Sequence, residues 1–296
     1  MGKIIITAEN LEKKYGDIKA VDDVSFEIRK GEIFVMVGPN GAGKTTTIEI
    51  LEGLRDMDKG KVSIAGMSPK DKRVREIIGI QLQESAFQDV IKVREILELF
   101  GSFYERSLDP EEIMKKLGLQ EKAMEYYEKL SGGLKQRVAI GVAMINDPKI
   151  VFLDEITTGL DPQARRATWE LVRTLKNNEK TVFMTTHYME EAEALGDRVA
   201  IIDHGKIIAL DTPGNLIKNI GGETKITYEG PMIKEKMSEI KKIKKINGNV
   251  VIYTNKPENV ISKLMSELGK ENIKNLNIKR MNLEDAYIML TGGMRE

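Results

Sequence analysis

Runs of consecutive apolar residues alternate with segments whose apolar positions recur every three or four residues through the first two-thirds of the chain. Apolar runs of four or five residues suit strands buried on both faces, as a parallel sheet requires. The pattern predicts strands at 33–37, 150–153, 181–184 and 199–202, with helices at 45–54, 162–176 and 189–195. Strands separated by helices give an α/β fold with a largely parallel central sheet. Residues 90–130 are helical in pattern without intervening strands, and with the helix that follows they form an insertion of about 90–145. Within it, Asp109-Pro110-Glu111-Glu112 offers an N-cap, a proline at the first helical position and a capping-box glutamate.

The pattern changes at Ile220-Gly221-Gly222, where paired glycines interrupt a helical segment. Two domains are predicted, 1–220 and a small α+β domain at 221–296. The second contains strands at 226–228, 250–253 and 273–278, helices at 258–268 and 283–290, and a hairpin turn at Asn247-Gly248. It carries 14 basic against 10 acidic residues, and its lysine cluster, Lys241, Lys242, Lys244 and Lys245, has the pattern of a solvated face.

The 296 residues hold 46 basic and 46 acidic side chains, so the chain as a whole has no field that would attract nucleic acid or anionic lipid, and no nucleic acid partner is expected. Cysteine is absent, which excludes disulfides, thiolate nucleophiles and iron–sulfur ligation. His187 and His204 are too few for a conventional zinc site. No apolar run approaches the roughly 18 residues of a membrane span, and the N-terminus lacks the apolar core and cleavage site of a signal peptide. A cytoplasmic location is predicted.

Chemistry enters at Gly38-Pro39-Asn40-Gly41-Ala42-Gly43-Lys44-Thr45, a G-x-x-x-x-G-K-T loop between a predicted strand and a predicted helix, with Thr46 following. Glycines allow the backbone to turn its N–H groups around phosphates, and the helix N-terminus adds positive potential. Lys44 would meet the β- and γ-phosphates, and Thr45 would offer its hydroxyl to Mg²⁺. The strand at 150–153 ends in Asp154-Glu155, at the carboxyl edge where α/β folds place ligands. Asp154 would hold Mg²⁺ and Glu155 would activate the attacking water.

Leu130-Ser131-Gly132-Gly133-Leu134 resembles the LSGGQ signature of ATP-binding cassette (ABC) proteins. The other motifs of that family follow in order: Tyr15 before the phosphate loop, Gln83 between the two halves of the site, Gly159-Leu160-Asp161-Pro162 after the acidic pair, and His187 at the end of a later strand. The resemblance covers residues 4 to about 220. It implies an α/β P-loop NTPase (RecA-like) core with an N-terminal antiparallel β subdomain and an inserted α-helical subdomain. It further implies that Tyr15 stacks on adenine, that Gln83 senses Mg²⁺ and the attacking water, and that His187 contacts the γ-phosphate and aligns Glu155. Ser131, Gly132 and Gly133 would close on ATP held by a second cassette, and Asp161 would lie in the loop joining the two sites. Departures from the family pattern are Leu134 for the signature glutamine and Ile156 for the proline common after the glutamate.

The function so implied is the ATP-hydrolysing subunit of a transporter, working as an ATP-dependent head-to-tail dimer, a homodimer being sufficient. It would be held at the inner face of the membrane by a separate permease. The ending Asn282-Leu283-Glu284-Asp285-Ala286-Tyr287 resembles that of exporters of the drug, antibiotic and lipid-glycan type. The alternative is a soluble cassette ATPase of translation, DNA maintenance or cofactor assembly. Translation-type members usually carry two cassettes and chromosome-type members a long coiled coil; neither is present in this sequence.

Overall fold

Two twelve-residue strands, β1 (Ile4–Tyr15) and β2 (Ile18–Arg29), pair antiparallel across a Gly16-Asp17 turn. Along β2 the buried positions Val24, Phe26 and Ile28 alternate with exposed ones, as expected of a strand with one wet face. The computed structural model describes residues 2–81, 87, 90–220, 224–233 and 237–292. After β2 come β3 (Ile33–Val37), α1 (Lys44–Glu52) and β4 (Lys59–Ile64), which returns to pair with β1 and completes a three-stranded antiparallel sheet. The short α2 (Lys72–Arg75) leads to β5 (Ile78–Gln81).

The helical insertion follows as α3 (Val93–Gly101), α4 (Pro110–Leu117) and α5 (Gly132–Met144). These helices bury Val93, Ile96, Leu97, Ile113, Met114 and Val138 in a core of their own. The Asp109 side chain caps α4 by accepting from the Glu111 N–H at 2.9 Å, without the reciprocal capping-box bond from Glu112 that the sequence offers.

The remaining core elements are β6 (Ile150–Asp154), α6 (Pro162–Asn177), β7 (Thr181–Thr186), α7 (Met189–Leu195), β8 (Arg198–Asp203) and β9 (Lys206–Asp211). They build a six-stranded sheet of order β5-β6-β7-β3-β8-β9, parallel from β5 through β8. Every residue of β3, β6 and β7 is buried, so the continuous apolar runs of the sequence mark the sheet centre. His204 and Gly205, both with positive φ, form the two-residue turn from β8 to β9, which gives His204 a structural position.

The chain divides into two compact units, Met1–Leu210 and Asp211–Glu296. The division falls before α8 (Pro213–Asn219), ten residues earlier than the glycine pair that marks it in the sequence. The reason is local packing: Ile217 and Ile220 pack in a cluster with Val251, Tyr253 and Met281 of the second unit. This unit continues with β10 (Thr224–Glu229), β11 (Ile240–Ile246), β12 (Asn249–Thr254), α9 (Pro257–Leu268), β13 (Lys274–Arg280) and α10 (Leu283–Leu290). Its antiparallel sheet has the order β11-β12-β10-β13. One face, with Ile226, Val250 and Ile252, packs against Val260 and Leu264 of α9. The lysine cluster is the edge strand β11, turned into β12 by Asn247 and Gly248 at positive φ. Asn282 and Asp285 form a capping box at the head of α10, which assigns the polar part of the exporter-like ending a structural task.

Candidate functional site

The loop between β3 and α1 is held so closely from behind that two of its glycines admit no side chain. A Cβ on Gly38 would lie 2.1 Å from the carbonyl oxygen of Ile202, and one on Gly43 2.1 Å from that of Ala20. Gly41 and Gly43 also take left-handed φ values of 79° and 101°. Lys44 opens α1 and is only 3% exposed. Its Nζ donates to the Gly38 and Pro39 carbonyls at 2.9 and 3.0 Å and stands 3.1 Å from Glu155 Oε1.

Asp154 and Glu155 divide as adjacent residues at a strand end must. Asp154 is hydrogen-bonded by the hydroxyls of Thr185 and Thr45, and burial raises its proton affinity above that of an ordinary carboxyl. Glu155 leaves the strand at φ 49°, a left-handed conformation that costs a non-glycine residue on the order of 1 kcal/mol and that marks functional turns. Its N–H donates to the Thr185 carbonyl at 3.1 Å, and its Oε2 lies 3.1 Å from His187 Nδ1. Burial favours the protonated form of Glu155, but the Lys44 ammonium and His187 outweigh it and hold the carboxyl below its usual range.

Tyr15, Asn40, Gly41, Gly43, Lys44, Thr45, Thr46 and Glu155 line one cavity of about 370 Å³. Tyr15 is 42% exposed at its mouth, with the Arg55 guanidinium 5.4 Å from its ring centroid. Gly38 and Pro39 meet Lys44 through their carbonyls, and Ala42 is buried behind the loop. Ser131, Gly133 and Asp161 do not join that cavity; they line a second one of about 290 Å³, with Leu134 and Arg137. The Ser131 hydroxyl caps α5 at Leu134 N–H, Gly132 and Gly133 form its first turn, and Asp161 caps α6 at Ala164 N–H, 2.8 Å away. Leu134, in place of the signature glutamine, packs against the helical core. Ile156 is 1% exposed and is part of the buried core. Gln83 lies outside the described residues.

The arrangement fits a magnesium nucleotide. Thr45 and Asp154 present hydroxyl and carboxylate oxygens to one another, the hard donors that Mg²⁺ takes. Among the described residues no group of three or more His, Cys, Asp or Glu forms a cage. That is the donor set expected where Mg²⁺ is held by one or two protein groups and by phosphates.

Residues 21–158 match the family described as ABC transporter. Over 97% of its length the chain is 35% identical to the linearmycin resistance ATP-binding protein LnrL of Bacillus subtilis, covering 98% of that protein. It is 37% identical to the Nod factor export ATP-binding protein I of Burkholderia lata, with 97% of each chain covered. The chain belongs to the ABC transporter family, as an ATP-binding subunit. Solved cassettes of the family superpose on it. One cassette of an ABC transporter in its ADP conformation gives a TM-score of 0.66 at 26% identity, over 73% of this chain and 94% of that one. A dimeric post-hydrolysis cassette bound to ADP and Pi gives 0.64 at 28% identity, over 70% and 98%. As an ABC ATPase the protein binds ATP, and no helix among its described residues is long and apolar enough to cross a membrane.

Glu52 and Glu191 are buried carboxylates outside every motif. Glu191 is fully buried beside the segment that bears His187. Glu52, 5% exposed at the end of α1, has both oxygens without a hydrogen-bond partner. It borders a groove of about 1050 Å³ that Arg75, Ile78, Phe100, Tyr104 and Val142 also line. Burial, reinforced by the charges of Asp154 and Glu49, pushes its carboxyl up to about 9. A charged residue on the core face of a helix, beside Ile48 and Leu51, is the signal that could have found it. The folded state therefore keeps a proton that the unfolded chain releases above its ordinary value, and stability falls as pH rises between the two. Glu52→Gln removes that loss. Its stability relative to the unmodified chain is expected to grow by about 3 kcal/mol from pH 5 to pH 7, measured by chemical denaturation at each pH. A difference independent of pH would show that Glu52 ionises normally.

Proposed function

We propose that the protein powers export through a separate membrane-spanning permease, working as a head-to-tail pair with a second copy of itself. The observation that carries the pairing is the separation of the two predicted half-sites: Lys44 and Glu155 line one cavity, Ser131 and Asp161 another. A phosphate loop and a signature that face different cavities of one chain can both meet a nucleotide only if the signature serves the nucleotide of a partner. Two-fold symmetry then completes both sites with one chain type. The direction of transport rests on the export and resistance functions named for the relatives, which match the second unit as well as the first.

Within each site, Lys44 and the loop amides hold the phosphates, Tyr15 stacks on the base, and Thr45 and Asp154 would hold Mg²⁺, which would supply positive charge to the triphosphate. Glu155 takes the proton of the attacking water, and His187 fixes the carboxylate in place. By the family resemblance alone, Gln83 would serve the metal and the attacking water. The permease would hold the protein at the inner face of the membrane. Affinity purification of this chain from the solubilised membranes of its source cells is expected to recover a membrane-spanning chain with it, with two copies of this chain per complex. Recovery of the cassette without any membrane chain would overturn the transport reading.

The second unit has an accessory or regulatory role in this scheme, because the described site residues lie within Met1–Leu210. A chain ending at Asp211, which keeps β9 whole, is expected to retain its ATP dissociation constant within about threefold, or about 0.7 kcal/mol. Loss of binding in such a folded, soluble protein would place the second unit in the nucleotide site.

A further inference from the structure

Arg55 follows the turn at Gly53, whose left-handed φ of 76° ends α1. The turn folds the chain back on the helix, so that Arg55 is tied to Glu49 twice. Its N–H donates to the Glu49 carbonyl at 3.1 Å, and its guanidinium pairs with the Glu49 carboxylate. Both side chains are partly buried. A surface ion pair contributes little by itself. This one is set apart by what the guanidinium covers: the ring of Tyr15, with its centroid 5.4 Å away.

Tyr15 is the last residue of β1, and the end of that strand is fastened to the same stretch of chain. Asp58 accepts from the Lys13 ammonium at 2.8 Å and from the Lys14 N–H at 2.7 Å, while its own N–H donates to the Glu12 carbonyl at 2.8 Å. The Lys13 ammonium stands 5.9 Å from the Tyr15 ring centroid. Tyr15 lines the nucleotide cavity, whereas neither Lys13 nor Arg55 does. The two cations therefore back the ring and leave its cavity side open. Glu49 belongs to α1, the helix that opens with Lys44. The element that presents a cation to the phosphates thus also fixes the position of the aromatic ring.

We propose that the Glu49–Arg55 pair braces Tyr15 against the phosphate-loop helix, so that the cavity is preset to the span between a base and its triphosphate. The inference rests on the reading of Tyr15 as the residue that stacks on the base. Arg55 and Glu49 are positioning residues that touch the ring and each other, not the nucleotide. An unbraced ring must be ordered when the base arrives. That ordering lowers affinity for a nucleotide and leaves affinity for a bare phosphate chain unchanged.

The test titrates the full chain calorimetrically with Mg-ATP and, separately, with Mg-tripolyphosphate, which has the phosphates and no base. The quantity read is the ratio of the two dissociation constants. Arg55→Met keeps a long apolar stem and loses the cation; it is expected to weaken ATP about fivefold more than tripolyphosphate, as loss of a surface cation–π contact does. Glu49→Gln keeps the cation and releases it, and is expected to shift the ratio in the same direction by about threefold. Loss of positive charge near the phosphates, or a folding defect, would weaken tripolyphosphate at least as much as ATP. An unchanged ratio in either variant would therefore overturn the brace. In a Tyr15→Leu background, Arg55→Met is expected to leave the ratio where it is. A further fivefold shift there would put Arg55 in contact with the nucleotide itself and overturn the positioning role. If Tyr15→Leu alone leaves the ratio of the unmodified chain unchanged, the stacking reading falls, and the brace with it.

Discussion

Glu155→Gln is expected to lower ATP turnover about 10³-fold, within the range general-base removal produces, while ATP binding stays within a few-fold of the unmodified protein. Glutamine has the same shape, so the left-handed turn at residue 155 and the N–H bond to Thr185 persist. What is lost is the negative charge that Lys44 and His187 hold in place and the proton acceptor that charge provides. ATP that binds and is not hydrolysed should keep two copies closed on each other. Light scattering with Mg-ATP is therefore expected to show a doubled mass for this variant, falling to the monomer when ATP is removed. Near-normal hydrolysis would assign the base to another residue, and a monomer in saturating ATP would count against the homodimer.

Lys44→Ala acts earlier, on binding itself. Its Nζ is buried with three oxygen neighbours already in place, so the ammonium is presented to the phosphates with little reorganisation. Truncating one partner of a buried charge pair costs about 2–5 kcal/mol, and affinity for Mg-ATP is expected to fall about a hundredfold. Isothermal titration measures this directly; an unchanged dissociation constant would remove the loop as the phosphate site. The variant also loses an electrostatic support. With the ammonium gone, burial acts on Glu155 against His187 alone, and its carboxyl moves upward. In the unmodified protein the lowered carboxyl contributes stability above its unfolded value, and this is lost as pH falls through the folded one. The stability difference between the two proteins should therefore narrow toward low pH.

Much of the fold is legible where one physical requirement dominates. β3, β6, β7 and β8 are apolar runs because their faces are covered, and α7 and α10 begin and end at the residues their patterns mark. β1 is less visible because register shifts at Ala8/Leu11 and Lys13/Lys14 break its two-residue alternation. β11 escapes for another reason: its four lysines satisfy the solvent, and its strand character comes only from pairing with β12. The phosphate loop, the acidic pair and the signature are visible because each has a fixed spacing. Glu52 and Glu191 are set by what surrounds them in space, Asp154 for the first and Trp169 for the second, and those neighbours lie far away in sequence.

The crowding behind the phosphate loop separates two properties that the motif seems to join. Gly38 and Gly43 face the carbonyls of Ile202 and Ala20, so they are demanded by the folding of the sheet even when no nucleotide is considered. A descendant of this chain that lost Glu155 would still be obliged to keep both glycines. Inheritance of the loop therefore records ancestry, and a living ATPase is distinguished from a retired one by the acid that follows β6, Glu155.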